Sequence, residues 1–258
     1  MRIYFITRFS IYDPKFRGFR VSKDYGPMEY QRRLFDKARL NHKFDTFQNI
    51  TFPSIVQQTC NDWEWIIYTS DLMPAEYMEC LRALVKDYKN IVLITVKNFS
   101  EFFEKTSSYN YKKLFATVRI DDDDGLSNCF VEKLRQYSKD VGSIVSFTEG
   151  RLVRLVNGKL FIGKKFSEKN SALGLAGIEI NIYNCGSHSD IDKRFNVIYD
   201  RSPDMFFLTC SPFTDTKRGF TALNRIVVKL ERLLFLVLRR PDRVPKECAI
   251  YIRKLGRH

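Results

Sequence analysis

The segment FATVRIDDDDGL, residues 115–126, decides the fold class of this 258-residue chain. Its first half is mainly apolar, which is typical of a strand buried inside a parallel sheet. Four consecutive aspartates, Asp121 to Asp124, follow this strand directly, and Gly125 comes next. Open α/β sheets bind ligands beyond the carboxyl ends of their strands, so the sequence predicts a carboxylate-rich site at this edge.

Hydrophobic patterns alternate in the chain around this segment. Three further strands are predicted from continuous apolar runs: 3–7, 65–69 and 91–95. Helices are predicted from helical periodicity and breaker residues: 44–58 with a break at Pro53, 74–88 and 126–139. This alternation predicts an α/β domain with a mostly parallel sheet flanked by helices.

Two connections in this half of the chain stand out. Residues 11–43 are basic and irregular, with a helical turn predicted near 30–40. A loop of this length within a compact domain is more often functional than idle. Residues 99–113 form a polar, aromatic stretch to which no regular element is assigned.

The pattern changes after Gly142. Three short segments predict an antiparallel extension of the domain: 143–148, 151–156 and 159–164. Asn157-Gly158 separates the last two segments and is a strong hairpin signal. The region 167–190 is looser and rich in Ser, Asn and Gly.

Positive charge is concentrated at the end of the sequence. The net charge is +13, and residues 217–258 hold twelve Lys or Arg against three acidic residues. Residues 224–238 predict a helix with an apolar face and interleaved cations. This basic C-terminal helical segment either packs on the domain or contacts an anionic membrane surface, and an acidic polysaccharide would also suit its charge.

Cysteine spacing and the length of the apolar runs indicate in which cellular compartment the protein is expected. The six cysteines are scattered without a CxxC pair, which is typical of reduced thiols. The sequence has no signal-peptide pattern and no run near the ~20 apolar residues of a membrane span. We therefore expect a cytoplasmic protein, with peripheral contact to the inner face of the membrane as an option.

The aspartate cluster has two interpretations. A solvated acidic turn that caps the following helix would be favoured by the helix dipole. Alternatively, a hard divalent cation, Mg²⁺ or Mn²⁺, would relieve the repulsion among the carboxylates and bind phosphate oxygens. Asp121 and Asp123 are two residues apart and would point the same way on an extended chain. Arg119, two residues earlier, would steer a phosphate group.

These residues carry a family resemblance. Residues 119–126 resemble the DxD motif of GT-A fold glycosyltransferases, in an extended DxDD form. Three other segments are similar to the bacterial putative rhamnosyltransferase family: RFS at 8–10, FPSIVQQT at 52–59 and DWEWIIY at 62–68. The similarity is good over about the first 150 residues and looser beyond them.

The resemblance implies a function and roles for particular residues. It implies a GT-A-like domain over 1–216 that moves a sugar, rhamnose being one candidate, from a nucleotide diphosphate donor to a surface polysaccharide or lipid-linked glycan. Residues 1–140 would bind the nucleotide, 141–216 would face the acceptor, and the basic segment 217–258 would follow. The residues implied in donor binding are Thr7, Arg8, Asp71, Arg119 and Asp121. The metal would be held by Asp123 with Asp121, or by Asp122 and Asp124 in a shifted register.

The catalytic base and the protein class keep alternatives open. An inverting transferase needs a carboxylate or imidazole near the acceptor hydroxyl, and Glu179, His188 and Asp190 are the candidates. A retaining enzyme would need no dedicated base. A metal-dependent nuclease or nucleic-acid-binding protein is the alternative class, although no nucleic-acid motif is present and no nucleic-acid partner is expected. An inactive scaffold with a transferase fold is a third interpretation.

Overall fold

The computed structural model describes residues 1–156 and 159–210. The strands of this part, in chain order, are β1 Arg2–Phe9, β2 Trp63–Ser70, β3 Ile91–Val96, β4 Phe115–Arg119, β5 Gly125–Leu126, β6 Ile144–Phe147, β7 Glu149–Val156, β8 Lys159–Ser167, β9 Leu175–Ile178, β10 Val197–Asp200 and β11 Phe206–Thr209. The α-helices are α1 Pro27–Leu34, α2 Lys37–Thr46, α3 Phe52–Val56, α4 Ala75–Val85, α5 Phe99–Ser107 and α6 Phe130–Arg135. The basic segment 217–258 and its predicted helix lie outside the described residues.

Seven strands form the main sheet in the order β10-β6-β9-β4-β1-β2-β3. The four strands from β4 to β3 run parallel, and β10 runs parallel to β6. Only β9 is reversed, because it pairs antiparallel with both β4 and β6. The predicted mostly parallel sheet is confirmed, and the sheet continues across residue 140, where the two predicted halves of the domain meet.

β1 lies inside the sheet, between β4 and β2, and is buried on both faces. Alternating side chains enter two different cores, with Phe5 and Phe9 on one face and Tyr4 and Ile6 on the other. This alternation follows from the two-residue period of a strand. The apolar run therefore fixes β1 between two helical layers, and the residues that follow it emerge at the carboxyl edge.

Pro53 changes the helix geometry where the sequence predicts a break. α2 continues into one π-helical turn, Phe47–Thr51, before α3 begins. The Phe52 N–H donates to the Phe47 carbonyl, five residues back. Proline has no N–H to donate, so the local hydrogen-bond ladder shifts register without ending the helical run.

The remainder of the chain differs from the prediction in two ways. The predicted irregular stretch 99–113 contains α5, whose N-terminus is capped by the Asn98 side chain. Residues 143–148, predicted as part of an antiparallel extension, instead supply β6 to the main sheet. A second, four-stranded sheet has the order β5-β11-β7-β8, and its β7-β8 hairpin is antiparallel as predicted.

The helices of the described part are short. None of them has the combined length and apolar character that crossing a bilayer requires.

Candidate active site

The aspartate cluster lies at the carboxyl edge of the main sheet, beside the end of β1. The register of β1 and β4 pairs Ile6 with Arg119, and the Ile120 N–H donates to the Ile6 carbonyl at 3.2 Å. Arg8 therefore emerges next to the residues that follow β4. This is the edge at which the sequence predicts a ligand site.

Asp121 is held by two arginines. Its carboxylate accepts from Arg119 at 3.3 Å and forms a longer ion pair with Arg8 at 3.9 Å. Burial raises the pKa of Asp121, but the positive charges of Arg119 and Arg8 outweigh burial and the net pKa is lowered. Asp121 therefore stays ionised and can accept hydrogen bonds from a ligand hydroxyl.

Lys43 is bonded to the next two carboxylates. Its Nζ donates to Asp122 Oδ1 at 2.6 Å and to Asp123 Oδ2 at 2.9 Å, and all three side chains are at most 10% exposed. Burial alone would lower the pKa of Lys43, but the two carboxylates outweigh it and the pKa is raised. α2 carries this lysine on its buried face beside Leu40 and Phe44. The ammonium group is thus a fixed cation inside the cluster.

Asp124 is bonded to the second sheet. Its Oδ1 accepts the backbone N–H of Thr209, at the end of β11, at 2.7 Å. Burial and the neighbouring charges of Asp123 and Asp121 raise the pKa of Asp124 well above its usual range. Burial also raises the pKa of Asp122, although Lys43 opposes this. The cluster therefore contains carboxyl groups whose ionisation is disfavoured, and one of them is tied to a backbone amide.

Aromatic rings surround the Arg8 guanidinium. Its Cζ lies 5.7 Å from the ring centre of Phe19, 5.8 Å from that of Phe99 and 5.2 Å from that of Tyr183. Cation–π contacts of this kind favour Arg, whose planar group stacks on rings. The Tyr183 hydroxyl in turn donates to the Ile6 carbonyl at 3.2 Å. Arg8 is thereby held in place at the sheet edge.

A cavity of about 700 Å³ opens beside the cluster. Its lining includes seven cationic residues: Arg8, Arg20, Arg32, Arg33, Arg39, Lys43 and Arg119. Its acidic lining residues are Asp36 and the four consecutive aspartates. Cations thus outnumber carboxylates, and the volume lies in the range of small-molecule and cofactor sites. Such a cavity suits a polyanionic ligand.

The predicted loop 11–43 contributes much of this cavity. Phe19, Arg20 and the helical residues Arg33 and Arg39 all line it. Arg39 Nη1 donates to the Ser10 hydroxyl at 3.1 Å, and Ser10 has a left-handed backbone with φ of 50°. A left-handed conformation is uncommon for a non-glycine residue and concentrates at functional sites. The helical turn predicted near 30–40 corresponds to α1 and the start of α2.

The structure does not bring all predicted site residues to the cavity. Thr7 is fully buried, and its hydroxyl accepts from Trp65 Nε1 at 2.9 Å. Asp71 is exposed just beyond β2, and its N–H donates to the Val96 carbonyl at 3.0 Å. Neither lines the cavity, in contrast to Arg8, Arg119 and the aspartates.

The three candidate bases also lie elsewhere. Glu179 follows β9, which runs antiparallel to β4, so Glu179 lies near the start of β4, where its carboxylate accepts the Leu114 N–H at 3.1 Å. His188 Nδ1 bonds the Asn170 carbonyl at 2.8 Å. Asp190 is exposed and pairs with Lys193 at 3.2 Å. None of the three lines the cavity.

Sequence reasoning missed several residues that shape the site. Lys43 bonds the cluster, and Phe19 and Tyr183 contact Arg8. Arg39 lines the cavity and donates to Ser10. All four residues are remote from the cluster in sequence. The basic character of 11–43 was the available signal for Lys43, Phe19 and Arg39.

The carboxylates, as arranged, do not fit the predicted Mg²⁺ or Mn²⁺ ion. Asp123 and Asp122 share an ammonium group, while Asp121 is paired with two guanidinium groups. Within residues 1–156 and 159–210, no three His, Cys, Asp or Glu side chains are grouped so that they could hold a metal ion. Hard cations need several oxygen ligands, and here three of the four carboxylates already pair with protein cations while the fourth accepts a backbone amide.

An α/β sheet with a parallel centre, and a carboxylate cluster in a cationic cavity at its carboxyl edge, is the arrangement expected of a glycosyltransferase of the GT-A type. The family model described as "Putative rhamnosyl transferase" matches residues 2–222. The chain belongs to this family, as the resemblance in the sequence implied.

One solved structure agrees with this fold assignment, and a second structure of the same protein is also similar. The crystal structure of S. aureus TarS 1-349 in complex with UDP-GlcNAc has a TM-score of 0.50 at 8% identity, over 99% of this chain and 71% of that one. The complex of the same protein with UDP has a TM-score of 0.49 at 9% identity, over 99% and 70%. At such low identity the likeness concerns the fold alone. No curated protein matches the sequence.

Proposed function

We propose that this glycosyltransferase uses a nucleoside diphosphate sugar as its donor and binds it in the cavity at the ends of β1 and β4. The observation that carries the proposal is the convergence of Arg8, Arg119 and Lys43 on one carboxylate cluster inside a cavity of about 700 Å³. Arginine is well suited to phosphate oxygens because its donors form a planar fork.

The residues of the cavity suggest how transfer proceeds. The bond between the sugar C1 and the β-phosphate oxygen breaks, and its electron pair leaves with the diphosphate. The acceptor oxygen forms the new bond to C1 and loses its proton to a base. Arg8 and Arg119 would stabilise the negative charge that develops on the diphosphate, because preorganised cations act strongly in a partly dry site. Ionised Asp121 would accept a hydrogen bond from a donor hydroxyl.

The donor sugar, the acceptor and the role of the basic segment are part of the same proposal. Rhamnose is the candidate sugar because of the family, and the TarS complexes hold UDP and UDP-GlcNAc. A bacterial surface polysaccharide or a lipid-linked glycan is the proposed acceptor. The basic segment 217–258 would bring the enzyme to an anionic membrane or to an acidic glycan.

Nucleotide binding by the purified protein tests the donor site. We expect UDP, GDP or dTDP to raise thermal stability, since a ligand at 100 times its Kd adds about 2.7 kcal/mol. Arg119→Met should abolish most of this shift. Arg135→Met is the matched control, because Arg135 pairs with Asp62 outside the cavity. No shift with any of the three nucleotides, in a folded sample, would refute the proposed donor site.

Turnover separates an active enzyme from a scaffold. Incubation with nucleotide sugars, including a rhamnose donor, should release the nucleoside diphosphate in the presence of a glycan acceptor. Nucleotide binding without release for any donor would favour the inactive scaffold. Tight binding of DNA or RNA that falls steeply with salt would instead favour the nucleic-acid alternative.

A further inference from the structure

The ammonium group of Lys43 lies where the aspartate cluster would otherwise need an external cation. It contacts one oxygen of Asp122 and one of Asp123 at 2.6 and 2.9 Å. Both contacts are short, as charge-assisted hydrogen bonds are. The lysine is only 10% exposed, so solvent screens these contacts weakly.

The other carboxylates of the cluster are also engaged by the protein. Asp121 accepts from Arg119 and is paired with Arg8, and Asp124 accepts the Thr209 N–H. A divalent ion entering here would have to displace a buried ammonium group or share its ligands.

We infer that Lys43 acts as a built-in cation in place of a divalent metal, so that the enzyme binds its nucleoside diphosphate without Mg²⁺ or Mn²⁺. This inference rests on the proposed donor site. Lys43 and the two arginines that hold Asp121 together supply the positive charge that a diphosphate needs. The motif that resembles DxD then serves to position Lys43, Arg8 and Arg119, and the metal predicted from the sequence is not required.

The first test uses the unaltered protein and Mn²⁺ alone. Electron paramagnetic resonance of free Mn²⁺ should show no loss of signal when the protein is added at submillimolar concentration. Retention of Mn²⁺ by the protein without nucleotide would overturn the inference. This measurement needs neither a variant nor a bound nucleotide, so it stands even where the proposed donor site fails.

The second test compares nucleotide affinity with and without metal. Titration with UDP, GDP and dTDP in EDTA and in Mn²⁺ should give Kd values within about twofold of each other, a difference of less than 0.5 kcal/mol. A nucleotide that binds only with Mn²⁺ would overturn the metal-free inference and leave the donor site intact. Absence of binding in both buffers would instead refute the donor site.

A variant sharpens both tests. Lys43→Met keeps an unbranched side chain that is one atom shorter and removes its charge, so we expect it to gain Mn²⁺ binding and to lose at least about tenfold in nucleotide affinity in EDTA. Lys105→Met is the control, because Lys105 pairs with Glu101 on the surface of α5. Equal nucleotide affinity in Lys43→Met and the unaltered protein would contradict the role of Lys43. Circular dichroism verifies that each variant is folded.

Discussion

The two edges of the main sheet both carry ion pairs, but in opposite environments. At the amino edge Arg2 pairs with Asp62 at 3.3 Å, and the Asp62 side chain is 42% exposed. At the carboxyl edge Lys43 pairs with Asp122 at 2.6 Å, and the Asp122 side chain is 7% exposed. Surface pairs contribute little to stability, whereas breaking a buried pair leaves a charge without compensation. The comparison teaches that the ion pair at the amino ends of the strands lies in solvent, whereas the one at the carboxyl ends is buried and forms part of the candidate site.

The largest expected effect is on the stability of the carboxyl edge. Lys43→Met should lower the free energy of unfolding by about 3–5 kcal/mol, because Asp122 and Asp123 would remain buried without their cation. Urea denaturation at neutral pH measures this loss. A change below about 1 kcal/mol would mean that the two edges do not differ as their burial indicates.

An intermediate effect should appear in the pH dependence of stability. The pKa of Asp124 is raised in the folded state, so the native protein binds more protons than the unfolded chain above pH 4. The contribution of Asp124 to the free energy of unfolding is therefore fully present below the pKa that this residue has in the unfolded chain. It is lost as the pH rises from that value towards the higher pKa of the folded state. Asp124→Asn keeps an acceptor for the Thr209 N–H and should remove this loss.

The measurement for Asp124 is a difference between two proteins. Urea unfolding from pH 4 to pH 8 should show that the stability of Asp124→Asn relative to the unaltered protein rises with pH. Burial lowers the pKa of His42, which acts in the opposite direction in both proteins and cancels. A constant difference across this range would show that Asp124 ionises normally.

The smallest effect should come from the amino edge. Asp62→Asn removes charge from the pairs with Arg2 and Arg135, and the expected loss is at most about 1 kcal/mol. Added salt should reduce that loss further, since exposed pairs are screened. A larger loss, insensitive to salt, would place a structurally important pair at this edge and weaken the comparison.

Local hydrophobic patterns were enough to predict the parallel strands β1 to β4 of the main sheet. The apolar runs at 3–7, 65–69, 91–95 and 115–120 all lie in strands of the main sheet, and the order of elements predicted its parallel centre. α5 was missed although Asn98 caps it and Glu101 lies in its first turn, because its aromatic residues obscured the helical period. β6 was assigned to an antiparallel extension; it does pair antiparallel with β9, but both strands belong to the main sheet, and its other partner β10 begins at Val197, far along the chain from Ile144.

Sequence patterns could predict only those cavity residues that lie at the end of a predicted strand or directly follow it. Arg8, Arg119 and the aspartates follow two adjacent strands, and the topology brings them together. The contact of Lys43 with Asp122 spans 79 residues and depends on how α2 docks, which no local pattern encodes. Thr7 lies in the core and not in the cavity, because a one-residue step along β1 from Arg8 turns the side chain to the other face of the sheet.

The hydrogen bond between Asp124 and Thr209 affects when the cavity can form in the nascent chain. Its two partners are 85 residues apart, and β11 is the last strand of the described part to leave the ribosome. At translation rates of about 5–20 residues per second, Asp124 is made roughly 4–17 s before its amide partner. During that interval Asp124, a carboxyl group whose ionisation is disfavoured, has no backbone donor from β11. The final maturation of the cavity is therefore timed by synthesis of the segment that reaches Thr209.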